Sequence, residues 1–249
     1  MSPENSDQQS VPAAESAIPP VVIEVWSDIA CPWCYIGKRR FAAALETFDH
    51  RDRVRVVWRS YQLSPDTPVG ARASELEALA KHKGLPPERV REMFAHVSAT
   101  AAEDGLVMDF DTVIAANTFD AHRLVHLAGD RTDEVLEALF RAHFTDGRVV
   151  DDRDELLAIA AEAGLDAAEI RAALESDAAA DRVRADIEEA RALGISGVPF
   201  FVANRAIGVS GAQPVEVFTQ LLEQAFEQSG AIVTPDGDGG ACADDTCAV

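Results

Sequence analysis

The alternation of apolar and polar residues near the start of the chain predicts a strand, a helix and a second strand. Residues 21–26 form an apolar, β-branched run with an abrupt polar end, which is typical of a buried strand. Between residues 35 and 48, Phe41 and Leu45 recur at helical spacing and predict an amphipathic helix. Residues 53–63 again favour a strand. A strand–helix–strand unit of this kind implies a right-handed parallel crossover.

A long middle block has the composition and the period of helices. From about residue 73 to residue 193 the chain consists largely of Ala, Leu, Glu, Asp and Arg, with apolar positions recurring about every 3.6 residues. Asp152 and Asp166, each three residues before a glutamate, are predicted to cap two of the helices. Glycines and prolines divide the block into predicted helices at residues 73–83, 86–104, 112–128, 132–145, 152–163, 167–176 and 180–193.

The pattern returns to strands after the helical block. Residues 198–202 and 206–209 predict two strands joined by a tight turn at 204–205, and residues 215–228 predict a last amphipathic helix. The helical block is therefore an insertion into an α/β domain. We predict a disordered lead at 1–20, a split domain at 21–64 and 195–229, an all-helical insertion at 65–194, and a flexible acidic tail at 230–249.

Composition and charge exclude several classes of function. The 249 residues are 47% apolar and 26% charged, an ordinary balance for a globular protein. A net charge of −21 argues against non-specific binding to nucleic acid or to anionic membranes. Residues 1–20 lack the apolar core of a secretory signal, and no apolar run approaches the length of a membrane span. We therefore expect a cytoplasmic protein, for which the alternatives of monomer and homodimer stay open.

The strongest chemical signal is the sequence Cys31-Pro32-Trp33-Cys34, between the first predicted strand and its helix. If Cys31 caps the helix, Pro32 takes the first helical position, where its missing N–H costs nothing. The Cys31 thiol then lies near unpaired N–H groups and the positive end of the helix dipole, which favours the thiolate. Cys34, one turn later, is placed to close a disulfide with it. Thiol–disulfide chemistry is the favoured interpretation, and a zinc knuckle and inert thiols are the alternatives.

Several polar residues are secondary candidates. Asp28 either relays protons or opposes the thiolate charge, or it is simply a residue of the turn. His122 and His126 lie one helical turn apart but have no apparent third ligand, so no metal site is expected. The basic residues 38–40 could lower the pKa of the thiolate or bind an acidic partner, but we interpret them as a solvated helix face.

Four stretches of the chain resemble the DsbA-type thioredoxin superfamily, and more closely its FrnE-like cytoplasmic branch. Together they span nearly all of residues 21–229, and they are specific in combination rather than singly. The resemblance implies a thioredoxin-like fold with a large all-helical insertion, and disulfide exchange without a cofactor. The stretches are 28–37 (DIACPWCYIG), 117–124 (NTFDAHRL), 194–202 (GISGVPFFV) and 209–214 (VSGAQP).

The resemblance also implies roles for individual residues. Cys31 is the nucleophile and Cys34 the resolving thiol in exchange with the thiols and disulfides of proteins, and the two residues between them tune the redox potential. Pro199 follows a cis peptide bond and packs against the cysteine pair, where the Val198 backbone can pair with a substrate chain. Glutathione or a thioredoxin-type protein is the expected source of electrons.

FrnE-like proteins similarly carry a second cysteine pair near the C-terminus, which here is Cys242 and Cys247. Cys242 lies twelve positions after Gly230, a stretch that spans up to about 40 Å when extended, so the tail is predicted to reach Cys31 and to exchange electrons with the first pair. A passive exposed pair and a weak metal site are the alternatives.

Another branch of the superfamily offers an alternative function. The chain also resembles kappa-class glutathione transferases and 2-hydroxychromene-2-carboxylate isomerases, which typically carry Ser at the position of Cys31. The presence of both Cys31 and Cys34 favours redox chemistry over isomerisation.

Overall fold

The structure, a computed structural model, describes residues 20–231, so most of the predicted lead and the tail with Cys242 and Cys247 lie outside the described residues. Within this range the chain forms four strands and nine α-helices. Their bounds are β1 (Val21–Ser27), α1 (Pro32–Thr47), β2 (Val54–Ser60), α2 (Glu75–Lys83), α3 (Pro87–Glu103), α4 (Phe119–Leu127), α5 (Thr132–Phe144), α6 (Arg153–Glu162), α7 (Ala167–Glu175), α8 (Ala180–Ala192), β3 (Phe200–Ala203), β4 (Ile207–Ser210) and α9 (Val215–Ala231).

The strands form one sheet in the order β2-β1-β3-β4. β1 and β2 are parallel, in a register that runs from Val21 opposite Val54 to Ser27 opposite Ser60. β3 is antiparallel to β1, and β4 is antiparallel to β3. The predicted parallel crossover and the predicted hairpin after the helical block are therefore both confirmed.

The side chains of β1 alternate between two layers of helices. Val25 faces α1 and α9, where it packs in a buried cluster with Phe41 and Phe218. Trp26 faces the other side of the sheet and packs against α8. Because side chains alternate along a strand, Ser27 at the end of β1 lies on the same side as Val25, toward α1.

Helices α2–α8 form an inserted lobe with an apolar interior. Asp152 and Asp166 accept backbone N–H donors at the starts of α6 and α7, which confirms both predicted caps. The buried cluster of the lobe also includes residues of α1, so the lobe and the α/β domain share apolar contacts. The domain boundaries at 65 and 194 stay a prediction. No helix among residues 20–231 is long and apolar enough to cross a membrane. Fully buried side chains of the lobe include Leu124, Leu139, Phe140, Leu156 and Ile159.

The structure corrects the start of α4, which begins at Phe119 rather than at residue 112. The segment before it is extended and runs beside the residues that precede α2, with the Glu75 N–H donating to Val113 O at 2.9 Å. The apolar residues of this segment are spaced as in a helix, so the sequence pattern predicts one. The pattern does not show that the backbone N–H groups of the neighbouring stretch bond to this segment instead. β2 and β3 are likewise shorter than predicted, since β2 ends at Ser60 and β3 begins at Phe200.

Charged side chains attach the lobe to the sheet on the α8 side. Arg59 of β2 contacts the carboxylates of Glu24 and Asp186, both of which are buried. His126 of α4 lies 2.9 Å from the Asp186 carboxylate, and the Trp26 indole donates to Asp186 O at 3.0 Å. Burial acts to raise the pKa of Asp186, but the hydrogen bond from His126 and the charge of Arg59 outweigh it and lower this pKa. Asp186 is therefore held ionised at the junction of lobe and sheet.

We expect Asp186→Asn to destabilise the protein by about 3 kcal/mol, because it leaves Arg59 and His126 without their buried partner. Urea unfolding measures the loss. The stabilisation is present above the ordinary carboxyl pKa of about 4 and is lost as the pH falls through the lower folded pKa, so variant and wild type converge in acid. Asp181→Asn, on the exposed face of the same helix, is the control and should change little. An equal loss in both variants would contradict this role of Asp186.

Candidate active site

The Cys31-Pro32-Trp33-Cys34 segment begins α1 as predicted. Cys31 is the last residue before the helix, with extended backbone angles of φ −97° and ψ 111°, and Pro32 is the first helical residue. Both thiols are free, with 3% of Cys31 and 1% of Cys34 exposed. Trp33 is partly buried and packs against the lobe, with its ring centroid 6.3 Å from that of His96. The dithiol therefore lies below the surface, between α1 and the lobe.

The Val198–Pro199 segment lies against the dithiol. Its peptide bond is cis, which confirms that prediction. The Cys31 Sγ atom donates to Val198 O at 3.5 Å, and no backbone hydrogen bond among the described residues uses the Val198 N–H. Gly37 packs under the proline so closely that a Cβ atom there would lie 2.9 Å from Pro199 Cγ. The fold thus brings these residues together, and their roles in catalysis stay a prediction.

Cys34 is the more deeply buried sulfur. The Asp28 N–H donates to its Sγ atom at 3.5 Å. Burial raises the pKa of the Cys34 thiol well above its ordinary value, and the neighbouring Cys31 raises it further. The Asp28 N–H and the Ser27 hydroxyl act in the opposite direction and lower the pKa of Cys34. Cys34 therefore keeps its proton at neutral pH and is poorly suited to attack a substrate first.

Asp28 organises the turn between β1 and α1. Its carboxylate accepts the N–H of Leu63 at 2.8 Å and that of Ala30 at 3.4 Å, and it lies 3.4 Å from the His122 imidazole. The same imidazole lies 2.8 Å from Tyr61 O. Burial acts to raise the pKa of Asp28, but His122 and the Leu63 N–H lower it overall. A carboxylate held ionised in this way is a poor proton acceptor, so the geometry favours the turn role over a proton relay.

The two histidines that lie one turn apart on α4 have separate partners. His122 contacts Asp28, whereas His126 contacts Asp186 and lies 3.1 Å from the Ser60 hydroxyl. In the part of the chain that the structure describes, no group of three or more His, Cys, Asp or Glu side chains is arranged to hold a metal ion. Both histidines instead connect the lobe to the sheet.

The interpretation of residues 38–40 as a solvated face is wrong. Lys38 is only 5% exposed, and its Nζ atom lies 3.0 Å from the Glu137 carboxylate of α5. Arg40 contacts Asp104, at the end of α3, at a distance of 2.8 Å. These contacts hold α1 against the lobe. Spacing within α1 does not reveal them, because their partners belong to helices far along the chain.

The charge of Asp28 affects the pKa of two further residues, Glu75 and His143, which no motif in the sequence singles out. Burial, together with the charge of Asp28, raises the pKa of Glu75 to about 7. Burial lowers the pKa of His143 to about 4, and neither of its ring nitrogens has a hydrogen-bond partner among the described residues. Both residues lie in amphipathic helices whose pattern suggests only packing.

Comparison with known proteins agrees with this geometry. A family model described as the DSBA-like thioredoxin domain matches residues 22–223. A crystal structure of a probable DsbA oxidoreductase from Streptomyces coelicolor is 46% identical, with a TM-score of 0.76 over 92% of this chain and 99% of that chain.

Two more distant structures share the fold. The cytosolic disulfide reductase DsbM from Pseudomonas aeruginosa with GSH is 19% identical, with a TM-score of 0.59 over 83% of this chain and 99% of that chain. A 2-hydroxychromene-2-carboxylate isomerase is 14% identical, with a TM-score of 0.62 over 86% of this chain and 100% of that chain. None of these similarities tests the FrnE-like subtype, which stays a prediction.

We expect Gly37→Ala to destabilise the protein by about 1–3 kcal/mol, because the added methyl group would lie 2.9 Å from Pro199 Cγ. The matched control is Gly230→Ala in α9, where a methyl group meets no atom within 4 Å and alanine should strengthen the helix. Thermal unfolding of the two variants measures the difference. If Gly37→Ala is as stable as the wild type, Pro199 does not pack on α1 as described.

Proposed function

The chain belongs to the DSBA-like thioredoxin domain family, and on that premise we propose that it is a thiol–disulfide oxidoreductase acting on the disulfides of proteins. Cys31 is the attacking sulfur and Cys34 is the resolving one. The observation that carries the proposal is the position of Cys31 at the N-terminus of α1 and beside Pro199, with the more deeply buried Cys34 one turn further on.

The exchange begins at Cys31. Cys31 lies at the N-terminus of α1, where the helix dipole favours negative charge. The thiolate attacks one sulfur of a substrate disulfide, so that a bond between Cys31 and the substrate forms while the other substrate sulfur leaves as a thiolate. The backbone of Val198 lies beside Cys31 and is available to pair with an extended substrate chain.

Cys34 then resolves the mixed disulfide. It loses its proton, attacks Cys31 Sγ and expels the second substrate sulfur, which takes up a proton from solvent. The products are a Cys31–Cys34 disulfide and a substrate reduced by two electrons. The reverse sequence oxidises a substrate dithiol, and the two sequences in succession isomerise disulfides. Pro32 and Trp33 set the balance between these directions by tuning the redox potential.

We place this activity in the cytoplasm, with glutathione or a thioredoxin-type protein as the source of electrons. The support is the fold shared with the Pseudomonas aeruginosa protein, which is described as a cytosolic disulfide reductase and whose structure contains GSH. The strong negative charge of the chain opposes nucleic acid or an anionic membrane as a partner.

Cys242 and Cys247 are proposed as a second redox couple that reloads the first. The last helix, α9, ends near the N-terminal end of β1, because Asn204 accepts the N–H of Val22 and donates to the hydroxyl of Ser229. β1 runs about 20 Å from there toward the first cysteine pair. The eleven Cα–Cα steps from the end of α9 to Cys242 extend to about 36 Å, which exceeds that distance.

One observation favours a second candidate function, a glutathione-dependent transferase or isomerase of small aromatic compounds. Only 3% of Cys31 is exposed, and a small thiol reaches such a sulfur more readily than a folded protein does. The fold shared with a 2-hydroxychromene-2-carboxylate isomerase supports the same candidate. An enzyme of this kind would turn over without Cys34.

We expect Cys31→Ser to reduce a protein disulfide at least about a hundredfold more slowly than the wild type, because a serine hydroxyl stays protonated at neutral pH. Cys34→Ser should instead accumulate a mixed disulfide at Cys31, since attack proceeds and resolution does not. Reduction of insulin, with mass spectrometry of the trapped species, measures both effects.

Two outcomes would change the assignment. Undiminished reduction by Cys31→Ser would overturn the proposed function. Glutathione-dependent turnover of a chromene-type substrate that persists in Cys34→Ser would favour the second candidate.

We expect the double replacement Cys242→Ser and Cys247→Ser to slow multiple turnovers, because the first pair is then reloaded only from solution. A single turnover by prereduced protein should proceed at the wild-type rate. Ala241→Ser with Ala248→Ser is the matched control, which changes the tail and keeps both sulfurs. Equal multiple-turnover rates in the two double variants would show that the second pair is passive.

A further inference from the structure

The hydroxyl of Ser27 is a buried polar group to which the steps above assign no part. Ser27 is the last residue of β1 and is 3% exposed. Its Oγ atom has no hydrogen-bond partner among the described residues. A buried hydroxyl without a partner is uncommon in a native protein and calls for a physical reason.

The alternation of side chains along β1 places this hydroxyl toward α1. Val25, two residues earlier, packs with Phe41 of that helix, and residues two apart in a strand share a face. The first turn of α1 carries Cys34, and the N–H of Asp28 already donates to its Sγ atom at 3.5 Å. The nearness of the Ser27 hydroxyl also lowers the pKa of Cys34, which agrees with this position.

We propose that the Ser27 hydroxyl donates a hydrogen bond to the Cys34 thiolate as it forms, and that Ser27 and the Asp28 N–H together stabilise this charge in the resolving step. The hydroxyl has no acceptor while Cys34 is a thiol and gains one when the sulfur becomes charged. The interaction is therefore stronger in the reacting state than in the resting state, which is the condition for catalysis. This inference rests on the proposed function, because resolution by Cys34 is part of it.

The step balances without a further reagent. Cys34 gives its proton to solvent, and its sulfur forms a bond to Cys31 Sγ while the bond between Cys31 and the substrate breaks. The departing substrate sulfur carries the electron pair and takes up a proton. Ser27 keeps its own proton throughout, and Asp28 remains an ionised partner of His122.

The reaction of the reduced chain with one equivalent of a chromogenic aromatic disulfide separates the two steps. Attack by Cys31 releases one coloured thiolate, and resolution by Cys34 releases a second. The full-length chain carrying Cys242→Ser and Cys247→Ser is the background, so that only the first pair reacts. Glu75 titrates at about pH 7 and His143 at about pH 4, so the profile of the second release is followed into the alkaline range, where Cys34 titrates.

We expect Ser27→Ala to move the midpoint of the pH profile of the second release upward by about one unit, which is about tenfold less thiolate at a given pH. The rate below the midpoint should fall only about threefold, because a more basic thiolate is a better nucleophile. Ser27→Thr keeps the hydroxyl and should restore the midpoint. Ser27→Val, which has the shape of threonine without the hydroxyl, repeats the comparison if the alanine variant does not fold.

Ser60→Ala is the matched control. Ser60 lies opposite Ser27 in the register of β1 and β2, and its hydroxyl lies 3.1 Å from a ring nitrogen of His126 instead of facing Cys34. A midpoint that stays unchanged in Ser27→Ala, or that moves equally in Ser60→Ala, overturns the role of Ser27, as does failure of Ser27→Thr to restore it. Absence of a second release in the background protein would refute the proposed function itself, so the two failures are distinguishable.

Discussion

The burial of Cys34 is the physical constraint on which the rest of the site depends. Only 1% of Cys34 is exposed, and its thiol holds its proton strongly because water does not reach it to stabilise the thiolate. The negative charge of a Cys34 thiolate must therefore be stabilised by polar groups of the fold, which are the Asp28 N–H and, in our proposal, the Ser27 hydroxyl on the side of β1 that faces α1. In the proposed function Cys31, at the helix N-terminus, is the sulfur that meets a substrate first. The difference between the two sulfurs thus follows from where α1 begins.

This geometry requires that α1 be held firmly, and contacts with the lobe help to do this. Lys38 and Arg40 reach carboxylates of α5 and α3, and Tyr35 stacks on Phe140 with ring centroids 5.0 Å apart. Pro199 also packs on α1, at Gly37. The inserted helices therefore belong to the candidate active site, since they pack against the helix that carries the dithiol.

The elements and the placement of the cysteine pair at the start of α1 could be predicted because their signals are local. Pro32 after Cys31 indicates a helix start, and the strand, helix and hairpin patterns lie in short windows of sequence. The contacts of Lys38 could not be predicted in this way, because its partner Glu137 is 99 residues away. The same reason hid the partners of Asp28, which are a loop N–H and a histidine of the lobe, although a place in the turn was one of its predicted alternatives. The position of Pro199 beside Cys31 came from family resemblance rather than from any pattern in the residues alone.

Alkylation of the fully reduced full-length chain tests most directly whether burial and helix position make the two sulfurs unequal. Iodoacetamide modification is followed for each cysteine by peptide mass spectrometry between about pH 5 and pH 9. Cys31 should react at least about tenfold faster than Cys34 throughout this range, because only Cys31 lies at the helix N-terminus while Cys34 keeps its proton. Equal rates, or faster modification of Cys34, would contradict the assignment of Cys31 as the attacking sulfur.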